Sequence, residues 1–391
     1  MYTPEFFADP HPFYADLREE APARQVRNPN GLEYWLITRY AEARALFADD
    51  RLAKDPRLAW DALRAAGVVR GEPQDATFDL HTTDPPDHTR LRRLVGKGFT
   101  QARVDALAPR VEEIAEGLLG ATEFDLIEDY AYPLSLTVIT ELLGVPVADR
   151  ARFREWTMAA MTPPFVTNGA MSREEAGRLL RAYVTELVAD KRSRPADGGL
   201  LSALITARDE DDRLSEAELV ALTQQMLFAG HEPTMNLIGN GMVALFANPS
   251  QLALLRADPS LLPGAIEELL RYDGPTARSS PHYTLVDVPV GDVVIPAGSV
   301  VVMGIASANR DPRQFPAPDR LDVTRAPQHL AFGHGVHRCV GAALARLEGR
   351  IAIGTLLRRY PGLRPAVPLA ELTWLPFPVF RGVAALPVAA G

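Results

Sequence analysis

The only cysteine of this 391-residue chain, Cys339, stands in the run Phe332-Gly333-His334-Gly335-Val336-His337-Arg338-Cys339-Val340-Gly341. A thiolate is the ligand a soft metal wants, and a free thiol has a pKa near ~8.5, so a metal site must supply donors or positive potential to keep sulfur ionised. Glycines at 333, 335 and 341 let the backbone turn tightly and approach a flat ligand. From Val340 onward the pattern is that of an amphipathic helix, which places Cys339 at a helix N-terminus, where unpaired N–H groups and the macrodipole favour an anion. A lone cysteine in an ordinary context reads as a small buried hydrophobe. The glycines around this one favour a ligand.

Two further groups lie upstream. Asp84-Pro85-Pro86-Asp87-His88-Thr89-Arg90-Leu91-Arg92 reads as a proline-punctuated turn followed by a helix, with His88 and Arg92 four apart on one face. Spacing alone fits a solvated basic face better than a ligand site. Ser215 and Glu218 form a capping box for a long helix predicted over Glu216 to Ala247. Within it stands Ala229-Gly230-His231-Glu232-Pro233-Thr234. Pro233 removes the N–H that would bond the carbonyl of Ala229, at a cost of about 3 kcal/mol where the ladder is otherwise intact. Thr234 is turned about 100° from position 233.

The run around Cys339 matches FGxGxHxCxG at every fixed position, and on it the chain resembles the cytochromes P450 from about Asp9 to Pro387. The resemblance implies a mainly α fold with small β-sheets, as a single domain over residues 1–391. It implies haem b, with Cys339 as the thiolate ligand of iron, Phe332 packed beside it, His337 facing a haem propionate and Gly341 completing the loop. An axial thiolate pushes electron density into the iron and favours O–O cleavage. The family's HxxxR implies that His88 and Arg92 bind propionates. Bacterial members place a propionate-binding arginine sixteen residues before the glycine that is Gly298 here, and this chain has His282 there. Histidine can be neutral near pH 7 and arginine cannot. Arg278 is a candidate to compensate. ExxR is met by Glu268 and Arg271, which the resemblance joins with Arg320 in a buried triad.

The family's distal helix reads AGxDT or AGxET, with acid and alcohol helping to deliver protons. The resemblance therefore makes Gly230, Glu232, Pro233 and Thr234 the catalytic group, with Glu232 keeping the acid and Pro233 standing where the alcohol is expected. The proton route is then a water held by Glu232 and a freed carbonyl, or the substrate's own hydroxyl or N–H. Thr276 to Ser280 and Leu375 to Phe380 line the pocket in relatives, and the Met-rich interval Trp156 to Met171 corresponds to a lid. The implied activity is a monooxygenase that oxidises a small specialised metabolite. Its rivals are oxidative C–C or C–N coupling of an aromatic peptide or cyclodipeptide, a peroxygenase, whose fatty-acid carboxylate Glu232 would repel, and a haem protein that only binds ligand. With no flavin or iron–sulfur motif, electrons are expected from a separate ferredoxin or flavodoxin with its NAD(P)H reductase, docking near Arg93, Lys97, Arg338 and Arg346.

These groups need a large frame, and 47% hydrophobic residues over this length can bury one. A net charge of -9 disfavours nucleic acid and anionic membranes as partners. The amino terminus lacks the pattern of a signal peptide, and one cysteine excludes an internal disulfide framework, so a cytoplasmic monomer is expected. Basic residues are almost all arginine, the lysines being Lys54, Lys97 and Lys191. Helices are predicted over Pro12 to Glu20, Tyr40 to Ala48, Val104 to Gly120, Tyr130 to Leu143 and Arg173 to Arg192, with stops at Pro146 and Pro163-Pro164. Strands are predicted around Val26, over Tyr34 to Thr38 and through Pro281 to Val302, and a long loop with a short helix over 51–83.

Overall fold

The computed structural model describes residues 1–73, 79–144, 150–162, 171–194, 199–209 and 214–391. Its longest helix starts where the capping box requires. The Glu218 N–H donates to Ser215 Oγ at 3.1 Å, and the Ser215 N–H donates to the Glu218 carboxylate at 2.7 Å. The helix then runs unbroken over Glu216–Ala247, through Pro233. It is buried on nearly every side, as a helix crossing a core must be. Helices Tyr132–Leu143, Arg173–Arg192, Leu262–Asp273 and Ala342–Arg359 pack on it. Gly230 and Gly239 set two of the closest approaches: a Cβ on either would overlap Ile139 or Ile127 respectively.

Ten short strands flank this helical body: β1 (Ala23–Arg27), β2 (Glu33–Ile37), β3 (Leu52–Ala53), β4 (Glu123–Asp125), β5 (His282–Thr284), β6 (Val288–Val290), β7 (Val293–Ile295), β8 (Val300–Met303), β9 (Arg364–Pro365) and β10 (Pro387–Ala389) among the described residues. They form sheets of order β1-β2-β8-β5-β3, β4-β10-β9 and β6-β7. The pairing of β3 with β5 sets Ala53 against Tyr283, which brings Lys54 beside His282 although 228 residues separate them.

The helix expected over Val104 to Gly120 is two helices, Gln101–Ala106 and Ala108–Gly117. Pro109 begins the second, and its ring cannot continue the first. The stops at Pro146 and Pro163-Pro164, and most of the interval between Trp156 and Met171, lie outside the described residues.

The triad expected from ExxR is corrected in one member. Arg271 grips Glu268 through Nε to Oε2 at 2.7 Å and Nη2 to Oε1 at 2.8 Å, both side chains fully buried. The third cation is Arg325, whose Nε lies 3.3 Å from Glu268 Oε1. Arg320 has a side chain 71% exposed and pairs with Asp322 instead. Its N–H closes a turn on the carbonyl of Ala317, so only its own carbonyl reaches Arg271, at 3.4 Å.

Candidate active site

The loop before helix Ala342–Arg359 turns at Gly333 and Gly335, whose φ angles are +68° and +73°. A Cβ at Gly335 would also stand 2.5 Å from the carbonyl oxygen of Phe47, so only glycine fits there. The Cys339 N–H donates to the carbonyl of Phe332 at 2.8 Å and closes the loop. Gly341 occupies the N-cap. Cys339 is open to water. Burial pushes its thiol up, while the Gly341 N–H and the guanidinium groups of Arg92, Arg338 and Arg346 pull it down. Those same groups would stabilise a metal-bound thiolate.

Phe332 is half-buried, with the Arg346 guanidinium 4.5 Å from its ring centroid. Arg346 also donates twice to Glu267, both at 2.7 Å. Against the opposing effect of burial, hydrogen bonds from Arg346 and His329 hold the Glu267 carboxyl down at about 2. Arg346 is therefore committed within the fold, whereas Arg93, Lys97 and Arg338 are exposed.

Cations and imidazoles gather beside this loop. Helix Asp87–Gly96 carries His88 and Arg92. The His88 ring lies 4.1 Å from that of His337, centroid to centroid, and among the described residues its buried Nε2 has no partner. Arg92 is half-buried and makes no ion pair among the described residues, with Cys339 the charge that favours its cationic form. His337 is held down to about 3 by burial and by the positive potential of His88 and Lys54. Its Nε2 is 3.9 Å from Asp84, whose carboxylate accepts from the backbone N–H groups of Lys54, at 2.9 Å, and Asp55, at 3.1 Å. His282 is buried on β5, 5.8 Å from the Phe47 ring. Burial, then Lys54 and His337, keep it neutral. A buried imidazole nitrogen without a partner and a guanidinium without an acid fit a dianionic ligand, and with the thiol they fit haem, whose two carboxylates and iron need these donors.

The long helix shows the opposite chemistry. Along it Ala221, Gln225, Ala229 and Pro233 form an accessible stripe at intervals of four, and Gln224, Phe228 and Gly230 beside them are half-buried. Beside it Glu232 is 1% exposed and Thr234 is buried. Burial pushes the Glu232 carboxyl up to about 7, against a hydrogen bond from Asn236 and the charge of Arg154. The preceding His231 donates from Nδ1 to the carbonyl of Leu227 at 2.8 Å, and its burial keeps it neutral down to about 4. Its Nε2, unprotonated in this tautomer, lies 3.9 Å from Glu232 Oε2. Phe228 packs 6.3 Å from Phe380, and Phe380 is bridged to Thr276, so the two expected pocket segments are joined. Arg278 is not near this group: it is caged by the hydroxyls of Tyr2, Tyr14 and Tyr34 at 2.6 to 2.9 Å.

Sequence reasoning missed Lys54 and Asn236. The first had a signal, being one of three lysines in an arginine-rich chain. The second stands four residues after Glu232, one turn along the same face.

The family model described as cytochrome P450 matches residues 121–363. The chain is 48% identical to cytochrome P450 107B1 of Saccharopolyspora erythraea, over 99% of this chain and 96% of that protein. It is 46% identical to the cytochrome P450 monooxygenase PikC of Streptomyces venezuelae, over 98% and 92%. Among solved structures, the tirandamycin C-bound P450 monooxygenase TamI superposes with a TM-score of 0.91 at 38% identity, over 100% and 99% of the two chains. Likeness of this extent, on a fold whose sole cysteine lies among groups suited to a thiolate, makes the chain a bacterial cytochrome P450, a haem-thiolate enzyme of the monooxygenase class.

Proposed function

We propose that this P450 inserts oxygen into a small, largely apolar specialised metabolite, using Glu232 as the distal acid and His88, Arg92, His282 and His337 to hold the haem carboxylates. Bound haem with a thiolate ligand supplies oxygen activation. The chain's own groups orient the substrate and handle protons. Phe228, Ala229, Pro233, Thr276 and Phe380 offer a mainly apolar wall, which suits such a substrate. PikC and TamI, a monooxygenase each by name, support the reaction class.

The observation that carries the distal role is Glu232 itself, a carboxyl raised to about 7 next to the accessible stripe of the long helix. A group poised near neutral pH both donates and regains a proton. Pro233 leaves the carbonyl of Ala229 without its helical donor, a second acceptor for a water on this path. Thr234, one residue on and 100° around, is a neighbour of the path and not a substitute for an alcohol at 233. Electrons come from a separate ferredoxin or flavodoxin and its NAD(P)H reductase, an acidic partner meeting the exposed cations Arg93, Lys97 and Arg338. The protein acts as a single-domain cytoplasmic monomer; among the described residues no helix is long and apolar enough to cross a membrane.

The test is turnover of a metabolite panel under labelled dioxygen with a reducing partner. One labelled oxygen per product supports insertion. A product joined through a new C–C or C–N bond with no label would replace this reading by oxidative coupling.

A further inference from the structure

Lys54 is 4% exposed, and among the described residues no carboxylate comes within ion-pair distance of its Nζ. Its three N–H donors face the hydroxyl of Ser280 at 2.7 Å, the carbonyls of Pro281 at 2.9 Å and Ser280 at 3.2 Å, and Nδ1 of His282 at 3.5 Å. Every one of these partners is neutral. Burial lowers the ammonium to about 7, with Asp84 and Asp79 opposing that fall. Asp84 spends its oxygens on backbone N–H groups, including that of Lys54 itself. The imidazole that meets the ammonium, His282, is itself shifted toward the neutral form by burial and then by Lys54. A buried positive charge among neutral partners is costly unless an anion completes the site.

We propose that Lys54 is the positioning cation of the haem carboxylate that His282 faces, supplying from behind the imidazole the positive charge that His282 lacks. Its contact with Nδ1 fixes which side of the ring meets it and leaves Nε2 for the carboxylate. The strand pairing of β3 with β5 delivers it, since Ala53 and Tyr283 are partners in register. Arg278 cannot take this part, being held by three tyrosines elsewhere. The inference rests on the carboxylate-holding roles proposed above for His88, Arg92, His282 and His337.

The rate of haem transfer from the holoprotein to apomyoglobin tests it. Lys54→Gln keeps an N–H donor for the Ser280 and Pro281 carbonyls but removes the charge, and haem loss should quicken by about 10-fold, the factor expected for one charge-assisted contact. His282→Arg in the Lys54→Gln background should bring the rate back toward wild type, while His282→Arg alone, which sets two cations side by side, should give no gain. Rescue of this kind has no explanation in a merely structural Lys54. Haem loss at the wild-type rate in Lys54→Gln, or no rescue in the double variant, overturns the proposal. His88→Ala with Arg92→Ala serves as the control. If that pair loses haem quickly and Lys54→Gln does not, Lys54 alone is excluded. If that pair also retains haem, the carboxylate-holding reading falls and Lys54 with it.

Discussion

Asn236 donates from Nδ2 to Glu232 Oε1 at 3.0 Å, one turn apart on the same helix, and Gly382 leaves the space in which that amide lies. Burial raises the carboxyl, while this hydrogen bond and the charge of Arg154 lower it by less, so burial wins.

Glu232 therefore titrates near 7 in the folded protein and near 4.5 when unfolded. Between those values the native state holds more protons than the unfolded one, so this group's contribution makes stability fall as pH rises through the window, by roughly 3 kcal/mol in all. Glu232→Gln should remove that part of the pH dependence, read as melting temperature against pH. In turnover it should lower product per NADH consumed and raise peroxide, with rate losses of ~10²–10⁴-fold where the proton is limiting. Full coupling in Glu232→Gln would take the carboxyl off the path.

Cys339→Ser should abolish the red-shifted Soret band of the reduced carbon monoxide complex. The far-UV circular dichroism should be unchanged, because the loop is closed by the backbone bond from residue 339 to Phe332, which serine preserves. A retained band would end the assignment of Cys339 as the iron ligand.

Arg325→Ala and Arg320→Ala should part company. Losing Arg325 strips a cation from buried Glu268, and Glu268→Gln leaves Arg271 buried without its counter-charge, a change of about 3–5 kcal/mol. Arg320→Ala removes an exposed pair with Asp322, worth at most about 1 kcal/mol. Denaturant midpoints of the three variants check the order, and equal losses in Arg320→Ala and Arg325→Ala would contradict it.

Gly230→Ala drives a methyl into Ile139 and should cost about 1–3 kcal/mol. Ile139→Ala in the same chain should recover part of that loss, whereas two additive losses would mean that the glycine matters for a reason other than helix packing.

Much of this was legible in the sequence because the signals are local. The capping box at Ser215 and Glu218 marked the start of the long helix, and the strands expected around Val26 and over Tyr34 to Thr38 pair as β1 and β2. Glycines at 333 and 335 announced positive φ. What escaped was long-range. Lys54 meets His282 only because β3 pairs with β5, and nothing in either segment names the other. Arg325 displaces Arg320 from the Glu268 cluster because a turn at Ala317 sends one side chain outward, which a motif with a gap of fixed length cannot express. The break at Leu107 was in principle readable from Pro109, but the apolar period across it is strong enough to mask it.

A chain whose one thiol is also its metal ligand has a single site at which oxidants and alkylating reagents compete with the cofactor. Cys339 is open to water in the protein chain, so thiol titration of a preparation counts the molecules that lack haem, one equivalent each. Under oxidising conditions those molecules have only each other to join, and the series must stop at a disulfide-linked pair. A non-reducing gel of aged protein is thus a record of cofactor loss.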